Sequence, residues 1–166
     1  VFPRNDTWTY DSTTNDWTNM KPRTAPPARE KYAMVYDSAH GEAVLFGGIN
    51  KTSYFSDTWT YNLTTNDWTD QNPSSIPSAR ESHAMAYNIA TGETVLFGGT
   101  GNGNNFLNDT WVYNLTSNEW TNMDPTNAPP PIVYHCMVYD GAACEVVLSG
   151  GWEGNNRLCN TWAYNR

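Results

Sequence analysis

The sequence predicts an all-β fold assembled from repeated four-stranded antiparallel units, and three observations predict it. VLFGG stands at residues 44–48 and again at 95–99, and returns as VLSGG at 147–151. The tryptophans that close the tripeptides DTW, DTW, DTW and NTW are Trp8, Trp59, Trp111 and Trp162, spaced by 51, 52 and 51 residues, and Trp17, Trp68 and Trp120 keep the 51 and 52. Trp, Tyr, Asn, Thr and Gly are abundant while charged residues are only 16%, a mixture that favours strands and turns over helices. A period near fifty residues marks stacked supersecondary units rather than one ordinary core.

Taken in order, residues 5–10 alternate polar and aromatic side chains, as a half-buried strand does; 11–15 turn, and Asp16-Trp17-Thr18 forms a short outer strand. A joint at 21–29 with Pro22, Pro26 and Pro27 interrupts ladder bonding and recurs at 71–80 and 124–132. Residues 32–36, a turn at 38–41 and residues 43–46 read as a hairpin. Its second strand is apolar on both faces and must be covered on both. The glycine pair ends that strand and permits close backbone approach. A loop, 49–56, then leads back to DTW. Residues 1–20 thus carry strands three and four of a first unit, 29–70 and 80–122 are complete units, and 132–166 hold strands one to three of a last.

In these features the chain resembles the kelch repeat over essentially its whole length. The residues that carry the resemblance are Arg29, Gly47, Gly48, Trp59, Tyr61 and Trp68 in one unit, and Arg80, Gly98, Gly99, Trp111, Tyr113 and Trp120 in the next. It implies a kelch-type β-propeller with the first strand of each blade nearest the axis. Closed propellers have about four to eight blades, so at this period a ring needs roughly 200 to 400 residues. About three blades' worth are present, and an incomplete ring is expected: a segment of a longer propeller, ahead of a ring-forming or filament-forming subunit. Asp16 to Asn19 of a neighbouring copy would supply the missing fourth strand, although the third strand carried with it would duplicate residues 160–164.

A net charge of -8 with nine scattered basic residues argues against nucleic acid as a partner. No run of eighteen apolar residues and no charged-then-apolar leader appears, so neither a membrane span nor a signal peptide is expected. Paired carboxylates, a nucleophile elbow, a phosphate loop and a zincin motif are all missing, which points away from an enzyme, a cofactor or a metal. His83 and His135 recur as framework, and His40, in a turn, is expected to be solvated. Arg29 and Arg80 are expected to bond loop carbonyls, and the Asp of DTW to bond nearby turn amides.

The expected function is a non-enzymatic module for protein interaction or extracellular scaffolding, with a protein or further copies of the chain as partner. Carbohydrate is the alternative, because the loops between strands two and three set aromatic rings beside amides: Tyr54, Phe55, Asn104, Asn105, Phe106, Trp152 and Arg157. Five N-glycosylation sequons occur; Asn62 and Asn114 share one outer turn and come first, followed by Asn5, Asn50 and Asn108. They suit an extracellular or secreted setting, while an odd count of three cysteines leaves the cytoplasm open. Cys136 and Cys159 fall at one end of the last unit, and Cys144 lies about five residues or ~15 Å away at the other. A bridge needs Cα atoms within ~7 Å, so Cys136–Cys159 is the disulfide expected ahead of the others, although strand two runs between them, and Cys144 is expected free or paired elsewhere.

Overall fold

In the computed structural model, residues 3–103 and 105–165 are described, and every regular element among them is a β-strand. A hairpin of β1 (Trp8–Asp11) and β2 (Asp16–Asn19) comes first. The first complete blade follows, β3 (Ala33–Asp37), β4 (Glu42–Phe46), β5 (Thr58–Asn62) and β6 (Asp67–Asp70), antiparallel in chain order. The second blade repeats it with β7 (Ala84–Asn88), β8 (Glu93–Phe97), β9 (Thr110–Asn114) and β10 (Glu119–Asn122). The last sheet has three strands, β11 (Cys136–Asp140), β12 (Glu145–Ser149) and β15 (Thr161–Tyr164). The loop before β15 folds on itself as a small hairpin, β13 (Trp152–Glu153) and β14 (Asn156–Arg157), turning at Gly154 with φ of 58°. The predicted all-β, four-stranded, unclosed propeller is the architecture found.

β7 lies against β3 on one side and β11 on the other, so the first strands gather at the axis and the sheets radiate from them. The apolar β4 and β8 are covered on both faces. Val44 and Phe46 meet Met85, Leu96, Tyr113 and Trp120 of the next blade, while Leu45 packs with Trp59, Tyr61 and Trp68 on the other side. Ala86, Val95 and Val112 then meet Val146 of the last blade.

Polar locks recur at each interface. Tyr61 and Tyr113 donate their hydroxyls to Asn66 Oδ1 (2.9 Å) and Asn118 Oδ1 (2.8 Å). Those asparagines sit at positive φ, 54° and 53°, which Asn tolerates better than most residues. Their amide groups donate to Met20 O and Gln71 O of the preceding sheet. The outer tryptophans do likewise, Trp68 Nε1 to Thr7 Oγ1 and Trp120 Nε1 to Thr58 Oγ1, both 2.9 Å.

The Asp of DTW has a different task from the one expected. Asp57 accepts both arms of the buried Arg29 guanidinium (2.6 and 2.7 Å) as well as Trp59 Nε1, and Asp109 does the same for Arg80 (2.7 and 2.7 Å) and Trp111. Turn amides lose to these partners because a guanidinium offers two charged donors in a matching fork. The expected loop-carbonyl bond also forms, from Arg29 Nη1 to Gly47 O (2.9 Å) and from Arg80 Nη1 to Gly98 O (3.0 Å). Burial would raise both carboxyls, but the hydrogen bonds and charge of Arg29 and Arg80 win and hold Asp57 and Asp109 below the ordinary 3.8. In the last blade Ile132 and Asn160 stand where this pair would be, and Ile132 is buried against Phe97 and Leu148.

His83 and His135 lie edge-on to Phe46 and Phe97, at 5.7 Å between ring centroids. Burial, aided by the Arg80 and His135 charges, pushes His83 down to about 3, and burial pushes His135 down to about 4. His40 is not simply solvated: its ring bonds Asp37 (2.8 Å) and reaches Thr116 of the next blade (2.9 Å).

The expected Cys136–Cys159 disulfide does not form, and all three thiols are free and exposed. Cys136 pairs across β11 and β12 with Ser149, which in turn pairs with Thr161, so β12 stands between the two cysteines. Two strand spacings are about 9.5 Å, beyond a disulfide's reach.

Two measurements test this frame. Asp109→Asn leaves the Arg80 guanidinium buried without a counter-charge and should lower unfolding free energy in urea by about 3–5 kcal/mol, while Ile132→Val, where no pair exists, costs only about 1 kcal/mol. Because the folded pKa of each buried histidine is depressed, the unfolded chain binds protons first as pH drops below 6.5. Stability should therefore fall between pH 6.5 and about 4, by about 2 kcal/mol per histidine at pH 5. The double variant His83→Gln, His135→Gln should show a nearly flat profile over that window, with the Asp57 and Asp109 losses beginning only below 3.8.

Candidate binding site at the head of the inner strands

Just before each inner strand lies a four-residue approach: Arg29-Glu30-Lys31-Tyr32, Arg80-Glu81-Ser82-His83 and Ile132-Val133-Tyr134-His135. Its second residue bridges the loop after the neighbouring strand, as Glu30 to Ile49, Glu81 to Thr100 and Val133 to Trp152. The third is the only position without a repeated type, and there the backbone is left-handed: φ is 56° at Lys31, 57° at Ser82 and 58° at Tyr134. Ser82 N donates to Lys31 O (2.9 Å) and Tyr134 N to Ser82 O (3.0 Å), so the three residues stand in a row across the blades. With the inner strands gathered at the axis, this row edges one mouth of the propeller.

Around the row, Lys31 Nζ lies 3.0 Å from Glu81 Oε2 and 6.0 Å from the centre of the Tyr134 ring. Tyr134 meets Trp152 edge-on at 6.0 Å, and the Arg157 guanidinium lies 5.5 Å from the Trp152 ring centre. The Glu81 bond raises the Lys31 pKa, so the ammonium stays charged through the physiological range. The result is two cations and two exposed aromatic rings around one carboxylate. That set suits a ligand carrying carboxylates beside an apolar or aromatic group.

Of the loop residues predicted to bind, Trp152 and Arg157 join this cluster through the β13–β14 register. Phe55 lies under the buried Arg29 guanidinium at 4.1 Å, and Tyr54 and Phe106 bridge back to Ile49 and Thr100 within their own loops. Asn105 is exposed and accepts Thr100 Oγ1 through its carbonyl (3.2 Å), and Asn104 lies outside the described residues. Lys31, Glu81 and Tyr134 were missed. The signal that finds Lys31 and Tyr134 is the one column without a repeated residue, and Glu81 stands in the column just before it.

The sequons also differ in setting. Asn5 and Asn108 are exposed. Asn62 is half-buried, its Oδ1 capping Thr64 N and its Nδ2 donating to Glu42 (3.1 Å); Asn114 Oδ1 caps Ser117 N, and Asn50 Oδ1 caps Thr52 N and Ser53 N. The nitrogen that would carry a glycan at Asn62 is thus already engaged. Among the described residues no group of three or more His, Cys, Asp or Glu is placed to hold a metal ion, and no helix is long and apolar enough to cross a membrane.

Known proteins can be set beside this geometry. The family described as the Attractin/LZTR1 beta-propeller matches residues 2–160. Kelch domain-containing protein 10 of Homo sapiens is 28% identical over 150 residues, covering 84% of this chain and 33% of that protein. Kelch domain-containing protein 2 of Bos taurus is 27% identical over 135 residues, covering 80% and 32%. Multiple epidermal growth factor-like domains protein 8 of Mus musculus is 29% identical over 134 residues, covering 77% and 5%. The chain therefore spans about a third of the length of the kelch domain-containing relatives it matches.

The left-handed backbone at the variable column carries a measurable cost. Ser82 has a buried hydroxyl without a hydrogen-bond partner as well as a Cβ in a conformation that disfavours one. Ser82→Gly should therefore raise stability in urea by up to about 1 kcal/mol, against the usual loss on introducing glycine.

Proposed function

Since the chain belongs to the kelch-repeat β-propeller family, we propose that it is a non-enzymatic protein-interaction module. Its ligand is an exposed peptide segment bearing an acidic side chain beside an aromatic one. The observation that carries the reading is the cluster of Lys31, Glu81, Tyr134, Trp152 and Arg157 at the mouth of the propeller. An acidic group of the ligand would pair with Arg157, and its ring would rest against Tyr134 and Trp152. Rigid aromatics and arginine are the side chains that dominate such interfaces.

An extracellular scaffold is the setting we favour, supported by the exposed Asn5 and Asn108 sequons. Carbohydrate is the second reading, supported by the exposed Trp152 ring beside polar loop groups. It ranks lower because the ring is already edge-on to Tyr134 and has the Arg157 guanidinium 5.5 Å from its centre, which leaves less of the face for a sugar.

A displayed random-peptide library separates the two. Selected peptides should be rich in Asp or Glu next to Trp, Tyr or Phe. Arg157→Glu should weaken them by at least about tenfold, and Asn105→Ala should leave them unchanged. No selectable peptide, together with Trp152-dependent signal on a glycan array, would replace the peptide reading with the carbohydrate one.

A further inference from the structure

Where the β3–β4 turn of the first blade meets the β9–β10 turn of the second, we propose an acyl-acceptor site: Thr116, activated by His40 and Asp37, takes an acyl group from an activated ester or thioester. These turns lie at the far end of the strands from the mouth, so the site is independent of the ligand reading.

Three side chains stand in line there. Asp37 Oδ2 lies 2.8 Å from His40 Nδ1, and His40 Nε2 lies 2.9 Å from Thr116 Oγ1. Asp37 is only 2% exposed. Its other oxygen accepts the backbone N–H groups of Ala39 and His40 at 2.9 and 3.2 Å, so the carboxylate is held in place by its own turn. A carboxylate oxygen can only accept, which puts the proton of the neutral ring on Nδ1. Nε2 is then an acceptor, and the Thr116 hydroxyl is its donor. A hydroxyl that gives its hydrogen bond to a base oriented by a third group is the arrangement that makes an ordinary alcohol a nucleophile.

The framework does not account for this histidine. The turn opens on Asp37 in the first blade, Asn88 in the second and Asp140 in the last, and each caps the N–H two residues on. Its fourth residue is His40, Thr91 or Ala143, so the turn asks for no base there. The blade interface is also held nearby without it, by Tyr113 and Asn118, whose bonds repeat those of Tyr61 and Asn66. Thr116 is exposed, and 33% of the His40 side chain is accessible, so a donor can reach both.

The transfer needs no reagent beyond the donor. Thr116 Oγ1 attacks the donor's carbonyl carbon while its proton passes to His40 Nε2. The carbon then expels its thiol or alcohol, which leaves with the proton from Nε2. A C–O bond to Thr116 forms, the donor's C–S or C–O bond breaks, and the ring returns to its starting state. Asp37 acts as the positioning residue, holding the tautomer and stabilising the imidazolium between the two proton transfers.

The test uses p-nitrophenyl acetate, an acid quench, and peptide mass spectrometry to read acetyl groups residue by residue. Thr116 should be acetylated at least about a hundredfold faster than Thr64, its counterpart in the β5–β6 turn. His40→Thr and Asp37→Asn give the first blade what the second already carries at Thr91 and Asn88, so both variants should fold. Each should bring Thr116 down toward the Thr64 rate. Thr116→Ser, which keeps the hydroxyl and removes the hindering methyl, should be acetylated at least as fast as the parent. Acetylation of Thr116 no faster than of Thr64, or a Thr116 rate unchanged by His40→Thr, would overturn the proposal.

Discussion

The structure depends on the approach distance between neighbouring blades at the diglycine. Strands β4 and β8 are apolar on both faces, so each must be covered twice. A covering sheet makes its backbone bond only if the chain ends its second strand without a Cβ in the way. A side chain at Gly47 would stand 2.8 Å from Arg80 O, and one at Gly98 would stand 2.8 Å from Ile132 O. Once that distance is set, the outer contacts follow from it. Trp68 and Trp120 reach the threonines of the preceding sheet, and Asn66 and Asn118 reach its backbone, because the blades already stand one side chain apart.

The Arg–Asp pair is secondary to this packing. Arg29–Asp57 and Arg80–Asp109 look indispensable, being buried and bidentate. The last blade nevertheless assembles with Ile132 and Asn160 in their places, and Ile132 joins the apolar cluster of Phe97 and Leu148. A buried ion pair can be replaced by apolar packing when both charges go together, and is costly to break when only one does. The simultaneous change at 132 and 160 is the tolerated kind. Apolar covering holds the blades, and the charge pair fixes where the loop into β5 meets the approach to its own blade's inner strand, β3.

What could be read from the sequence was what repeats. The strand order, the doubly covered β4 and the turn at Asn66 are each stated two or three times in the chain, so a single copy's ambiguity cancels. The DTW aspartate was misread because its partner, Arg29 or Arg80, is 28 or 29 residues away and only the fold brings the two together. The cysteine pairing failed for a different reason. Cys136 and Cys159 share an end of the blade, but the second strand read between them is there as β12 and holds them two strand spacings apart, so a shared end is not enough. The candidate cluster was half found: Trp152 and Arg157 stood out as unusual loop residues, while Lys31 and Tyr134 sat inside a motif that otherwise repeats.

That last failure points to how a repeat propeller acquires individuality. Positions that touch the next blade are held by two neighbours and tolerate little change, as Phe46, Tyr113 and Trp120 illustrate. At Lys31, Ser82 and Tyr134 the backbone is fixed by bonds to adjacent blades, Ser82 N to Lys31 O and Tyr134 N to Ser82 O, yet no repeated side-chain contact is asked of them. Their left-handed φ would be easiest for glycine, and glycine stands at none of the three. A side chain kept where the backbone disfavours one, on a rigid frame and at the mouth of the axis, gains nothing for the frame. Its value lies in what it presents, which is why Lys31 and Tyr134 differ from Ser82 while the arginine-glutamate pair before two of them does not.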